Sequence, residues 1–97
     1  MLLSPRALPL LCLALGGCSE PLKNAECAAL LDRYVTLLAE SDRPGTSEAD
    51  LIKLKTLARE KAARDPAFQR CAERVSRRQY ECAMRAVHVD RVEQCLL

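Results

Sequence analysis

The chain has 97 residues with one Phe, two Tyr and no Trp, so any core it forms is small and built mainly of Leu, Val and Ala. Fifteen basic side chains against thirteen acidic ones give a net charge of only +2, and so few aromatic residues leave no stacking platform for nucleic acid. A fold of this size has little room for a deep, water-excluding pocket, which weighs against an enzyme.

The first element is a leader. Arg6 precedes an apolar run through Leu8, Leu10, Leu11, Cys12, Leu13, Ala14 and Leu15, broken only by Pro9. A positive charge followed by a short apolar stretch is the layout of a signal peptide, and the run is too short to span a membrane, which takes about 20 apolar residues. The leader ends in Leu15-Gly16-Gly17-Cys18, which resembles the lipobox of bacterial lipoproteins. That resemblance implies cleavage after Gly17 and a diacylglyceryl thioether on Cys18, with two or three acyl chains, palmitate among them, holding the protein durably at a membrane. Ser19, in place of an aspartate, resembles the sorting position of lipoproteins sent to the outer membrane. The chain is therefore expected to divide into a leader (residues 1–17), lipidated Cys18 with a tether to residue 23, and a helical domain (residues 24–97).

With Cys12 lost in the leader and Cys18 used by lipid, four of the six cysteines remain for the domain: Cys27, Cys71, Cys82 and Cys95. An even number in an oxidising compartment points to two disulfides. No Cys-x2-4-Cys knuckle is present, which argues against a structural zinc site, and no Cys-x-x-Cys pair is present for redox exchange. No metal or other cofactor is expected.

In the domain, Asn24 is a good helix N-cap, and Cys27, Leu30, Leu31, Tyr34, Val35 and Leu38 recur at three- and four-residue intervals with Glu26, Asp32, Arg33 and Glu40 on the back. Pro44-Gly45 ends this helix. A second helix starts at Ser47, with Asp50 in the third helical position, and runs to about Arg64 with Leu51, Leu54, Ala58 and Ala62 inward. Asp65-Pro66 then offers an N-cap followed by proline at the first helical position. The third helix is expected to run from Pro66 to a corner at residues 87–89, with Phe68, Cys71, Ala72, Val75, Gln79, Cys82 and Ala86 on its inner side. Asp90, with Glu93 three residues on, starts a short fourth helix. The expected fold is thus all-α, a small disulfide-stapled bundle of three to four helices.

Bridged cysteines need Cα atoms about 4.4 to 6.8 Å apart. Inside one intact third helix, Cys71 and Cys82 would lie roughly 16 Å apart at the helical rise, which removes the pairing that joins them. Two pairings remain: Cys27–Cys71 with Cys82–Cys95, preferred because a corner at His88 lets Cys82 and Cys95 face each other, and Cys27–Cys82 with Cys71–Cys95. The leader, the early Cys27 and the closing Cys82, Ala86, Asp90 and Cys95 resemble a group of small four-cysteine helical bacterial lipoproteins whose function is uncharacterised. The resemblance supports the preferred pairing and the helical fold, and it transfers no catalytic residue.

Two constellations carry candidate function. His88, beside Asp90 and Glu93, reads as an exposed turn residue rather than a general acid or base, so no catalytic residue is assigned. Arg70, Arg74, Arg77, Arg78 and Arg85 form a candidate basic face: between Arg59 and Arg78 seven basic residues face three acidic ones. Such a face suits an anionic headgroup, an envelope polymer or an acidic envelope protein, or else a solvated surface with pairs such as Arg70–Glu73 and Arg77–Glu81. The expected function is a membrane-anchored, extracytoplasmic interaction or structural module of the bacterial envelope. The alternative is a binder of small apolar ligands or lipids in a gap between Leu31, Leu54 and Val75.

Overall fold

A computed structural model describes residues 20–97; the leader, Cys12 and Cys18 lie outside the described residues. Helix α1 (Asn24–Asp42) begins where the Lys23 amide donates to the Glu26 carboxylate at 2.9 Å, which satisfies one of the donors that a helix start leaves free. It ends ahead of Pro44-Gly45, and Gly45 takes the left-handed conformation, φ 86°, that reverses the chain. Helix α2 (Glu48–Ala63) is capped by Ser47, whose hydroxyl accepts the Asp50 amide at 3.1 Å. Asp65 caps α3 (Pro66–Gln69) by accepting the Ala67 amide at 2.9 Å.

The single third helix expected from sequence is three helices: α3, α4 (Cys71–Arg74) and α5 (Arg77–Arg85). The chain leaves helical geometry at Val75 (φ −106°, ψ 122°), and Ser76 opens α5 with a reciprocal cap. The Ser76 hydroxyl accepts the Gln79 amide at 3.0 Å while the Gln79 side chain accepts the Ser76 amide at 2.9 Å. After a corner at Ala86–His88, α6 (Val89–Cys95) closes the fold, starting one residue before Asp90. The all-α class stands, but the expected bundle of three to four helices is corrected to six helices among the described residues. Gln79 spends its side chain on the cap, while the rest of the expected inner side, Phe68, Cys71, Ala72, Val75, Cys82 and Ala86, is buried or half-buried.

Helix α1 is the centre of the molecule. One side buries Leu30 and Leu37 against Ala83, Ala86, Val89 and Val92 of α5, α6 and their corner, with Ala83 and Val92 fully covered. Its start packs Cys27 with Leu22 and Cys71, and Val75 and Tyr80 touch both clusters. Helix α2 lies on α1 and α3 but buries only Ala62, leaving Ile52 and Leu57 more than half exposed.

The four cysteines of the domain form two bridges. Cys27–Cys71 joins α1 to α4 with Cα atoms 6.3 Å apart, and Cys82–Cys95 joins α5 to α6 at 5.7 Å. The break at Val75 also removes the premise that one intact helix holds Cys71 and Cys82 apart.

Candidate functional site

The charged side chains of α1, read from sequence as its solvated back, reach its neighbours, because α1 has helices on more than one side. Asp32 pairs with Arg59 of α2. The Arg33 guanidinium donates to the Ala86 carbonyl at 2.5 Å, placing a cation on a carbonyl that α5 leaves free at its end. The Tyr34 hydroxyl donates to Glu93 of α6 at 3.0 Å, and burial first, then this bond to a carboxylate, pushes the phenol above its ordinary range.

The five arginines of the expected basic face divide at the Val75–Ser76 break. Arg77 turns inward and donates both terminal nitrogens to Glu26, at 2.5 and 3.1 Å, with a longer contact of 3.4 Å to the Pro21 carbonyl. Its guanidinium also lies over the Tyr80 ring, 5.8 Å from the centroid. The hydrogen bond from Arg77, then the Lys23 amide, hold the Glu26 carboxyl below its ordinary range. The partner of Arg77 is thus Glu26, not Glu81. Arg70 pairs with Glu73 at 3.5 Å, both well exposed. Among the described residues, no carboxylate lies within 4.0 Å of Arg74, Arg78 or Arg85.

An apolar cleft of about 540 Å³ opens between α1, the α3–α4 segment and the chain end. Leu30, Leu31, Phe68, Val75, Leu96 and Leu97 form its walls, and Arg74 is its one cation. Two acids share its lining: Asp65 accepts the Ala67 amide and Glu93 the Tyr34 hydroxyl, both neutral donors, so the two carboxylates keep their charge beside Arg74. Leu31 and Val75 therefore share a cavity as the sequence suggested, whereas Leu54 lies in a separate hollow with Arg43, Thr46, Asp50 and Lys53. Phe68, expected on the inner side of its helix, lines the cleft too, and so do Leu96 and Leu97, whose spacing does not place the chain end beside α3.

His88 is exposed at the start of α6 and borders a hollow with Glu40, Ser41 and Asp90, but no hydrogen bond joins it to Ser41 or Asp90. Among the described residues there is no cluster of three metal-ligating side chains, and no helix is long and apolar enough to cross a membrane.

The chain matches no protein-family model, no curated protein and no solved structure. The kinship with small four-cysteine lipoproteins inferred from Cys82, Ala86, Asp90 and Cys95 is accordingly corrected. The chain holds six cysteines, four in the two disulfides and two, Cys12 and Cys18, outside the described residues. The terminal spacing belongs to two helices, α5 and α6, joined by a corner and closed by the Cys82–Cys95 disulfide. What stands is a small, all-α, disulfide-containing protein.

Proposed function

We propose that the protein is a non-catalytic interaction or structural module of the bacterial envelope, exported by its leader and anchored through lipid on Cys18, at the outer membrane by the Ser19 reading. The observation that carries this is the order of features along the chain: charge, apolar run, Leu15-Gly16-Gly17-Cys18, then a body joined by two disulfides, which suit an oxidising compartment. Intact-mass analysis of the protein from envelope fractions tests it. The expected species starts at a diacylated Cys18, and Cys18→Ser accumulates as an unprocessed, unlipidated form; an unmodified Cys18 in the native protein sinks the proposal.

A second reading has its own observation, the cleft walled by Leu30, Leu31, Phe68, Val75, Leu96 and Leu97. Such walls suit a small apolar ligand or the alkyl tail of a lipid. A fluorescent apolar probe is expected to bind the purified protein, with Phe68→Asp weakening it about tenfold. Binding by Phe68→Asp equal to that of the parent would remove the cleft from consideration.

A further inference from the structure

Each disulfide ties down one wall of the apolar cleft. Cys71 is on the lining with Phe68 and Val75, and its bridge fastens the α3–α4 wall to α1. Cys95 immediately precedes Leu96 and Leu97, the wall made by the chain end, and its bridge fastens that wall to α5. The two bridges differ in cover. Cys27 and Cys71 are 4% and 7% exposed and packed with Leu22, whereas Cys82 and Cys95 are only half-buried. The other supports of α6, the buried Val89 and Val92 and the bond from Tyr34 to Glu93, all precede Cys95. From Cys95 onward the chain is held by the bridge, by the half-buried Leu96 and by backbone bonds within its own last turn.

We propose that Cys82–Cys95 is a redox-sensitive catch on the cleft: exchange with a dithiol opens this bridge while Cys27–Cys71 stays closed, and the freed Leu96 and Leu97 no longer wall the apolar site. The proposal rests on the cleft as a binding site for apolar ligands. In the exchange, a thiolate of the dithiol attacks one sulfur of the bridge; a mixed disulfide forms, the S–S bond breaks, and the other cysteine leaves as a thiolate and takes up a proton. The second thiol of the dithiol then attacks the mixed disulfide and releases the first cysteine. The dithiol is oxidised to a disulfide, and Cys82 and Cys95 gain the two electrons and two protons it loses. Access limits such attack, which favours the half-buried pair over the pair packed with Leu22. Because Val92 and Glu93 keep their contacts, the change is local to the last turn of α6, and the α3–α4 wall stays tied to α1.

The test uses the purified, fully bridged protein with any free thiols blocked beforehand. It is titrated with dithiothreitol without denaturant and quenched with iodoacetamide, and the modified cysteines are read by peptide mass. Cys82 and Cys95 are expected to be alkylated several-fold faster than Cys27 and Cys71. In the species reduced at that pair alone, hydrogen exchange should quicken at residues 95–97 and not in α3 or α4, and a fluorescent apolar probe should bind several-fold more weakly. The double variant Cys82→Ser, Cys95→Ser should bind the probe as weakly before any reductant is added. Alkylation of Cys27 and Cys71 first, or of all four together, overturns the catch. So does probe binding that survives selective reduction and the double variant, and this outcome leaves the cleft reading intact. A fully bridged parent that binds no probe overturns the cleft reading and the catch with it.

Discussion

Two arginine–glutamate pairs show how much position decides. Arg70 and Glu73 are neighbours on the surface, 68% and 73% exposed, and such pairs are worth a few tenths of a kcal/mol. Arg77 and Glu26 join α5 to the start of α1, with only 24% and 25% of their side chains exposed, and their bonds include two guanidinium nitrogens on one carboxylate. Because the folded state holds Glu26 below its ordinary pKa, the stability this group contributes is present above the ordinary carboxylate range and is lost as pH falls through the lowered value. Glu26→Gln should therefore melt several degrees below the parent at neutral pH, with the gap closing on acidification into the carboxylate range. A gap of constant size across that range would show that Glu26 acts through packing or capping instead of charge.

At the level of helices, legibility followed the local chemistry of the ends. Ser47 and Asp65-Pro66 were readable starts because each cap lies within three residues of the donor it satisfies. The Ser76-x-x-Gln79 box is equally local, yet the apolar spacing from Phe68 to Ala86 continues across it and masks the break. The effect of the break is visible in the core: the helix restarts at Ser76, and Ala83 is fully buried while Cys82 is only partly so. The inward roles of Glu26 and Arg33 could not be read from α1 alone, since they depend on α5 and the Ala86 corner arriving from more than fifty residues away. If the box sets this boundary, Ser76→Ala should lower the unfolding free energy by about 1 kcal/mol. Ser76→Asp, which keeps an acceptor, should recover most of it. Equal denaturant midpoints for Ser76→Ala and the parent would mean that Val75 and tertiary packing end α4 without help.

Across the whole molecule the two bridges have unequal tasks. Cys82–Cys95 closes a separation of 13 residues between α5 and α6, which already share a buried core of Ala83, Ala86, Val89 and Val92. Cys27–Cys71 closes a separation of 44 residues that contains all of α2, a helix burying little beyond Ala62. In the unfolded chain these loops restrict entropy by amounts worth on the order of 3 and 4 kcal/mol respectively, comparable with the whole stability of a small domain. Full reduction should accordingly remove most of the cooperative thermal transition. The paired substitutions separate the bridges further. Replacing Cys82 and Cys95 by Ala should lower the melting temperature while the α2 amides keep their exchange rates relative to α1. Replacing Cys27 and Cys71 should lower it more and speed exchange through α2 and α3 first, because without that bridge their hold on α1 rests on Ala62, the Asp32–Arg59 pair and half-exposed leucines. Hydrogen exchange read by mass spectrometry distinguishes these patterns. Uniform acceleration in both double variants would mean that the six helices unfold as one unit and that α2 is held more firmly than its burial implies.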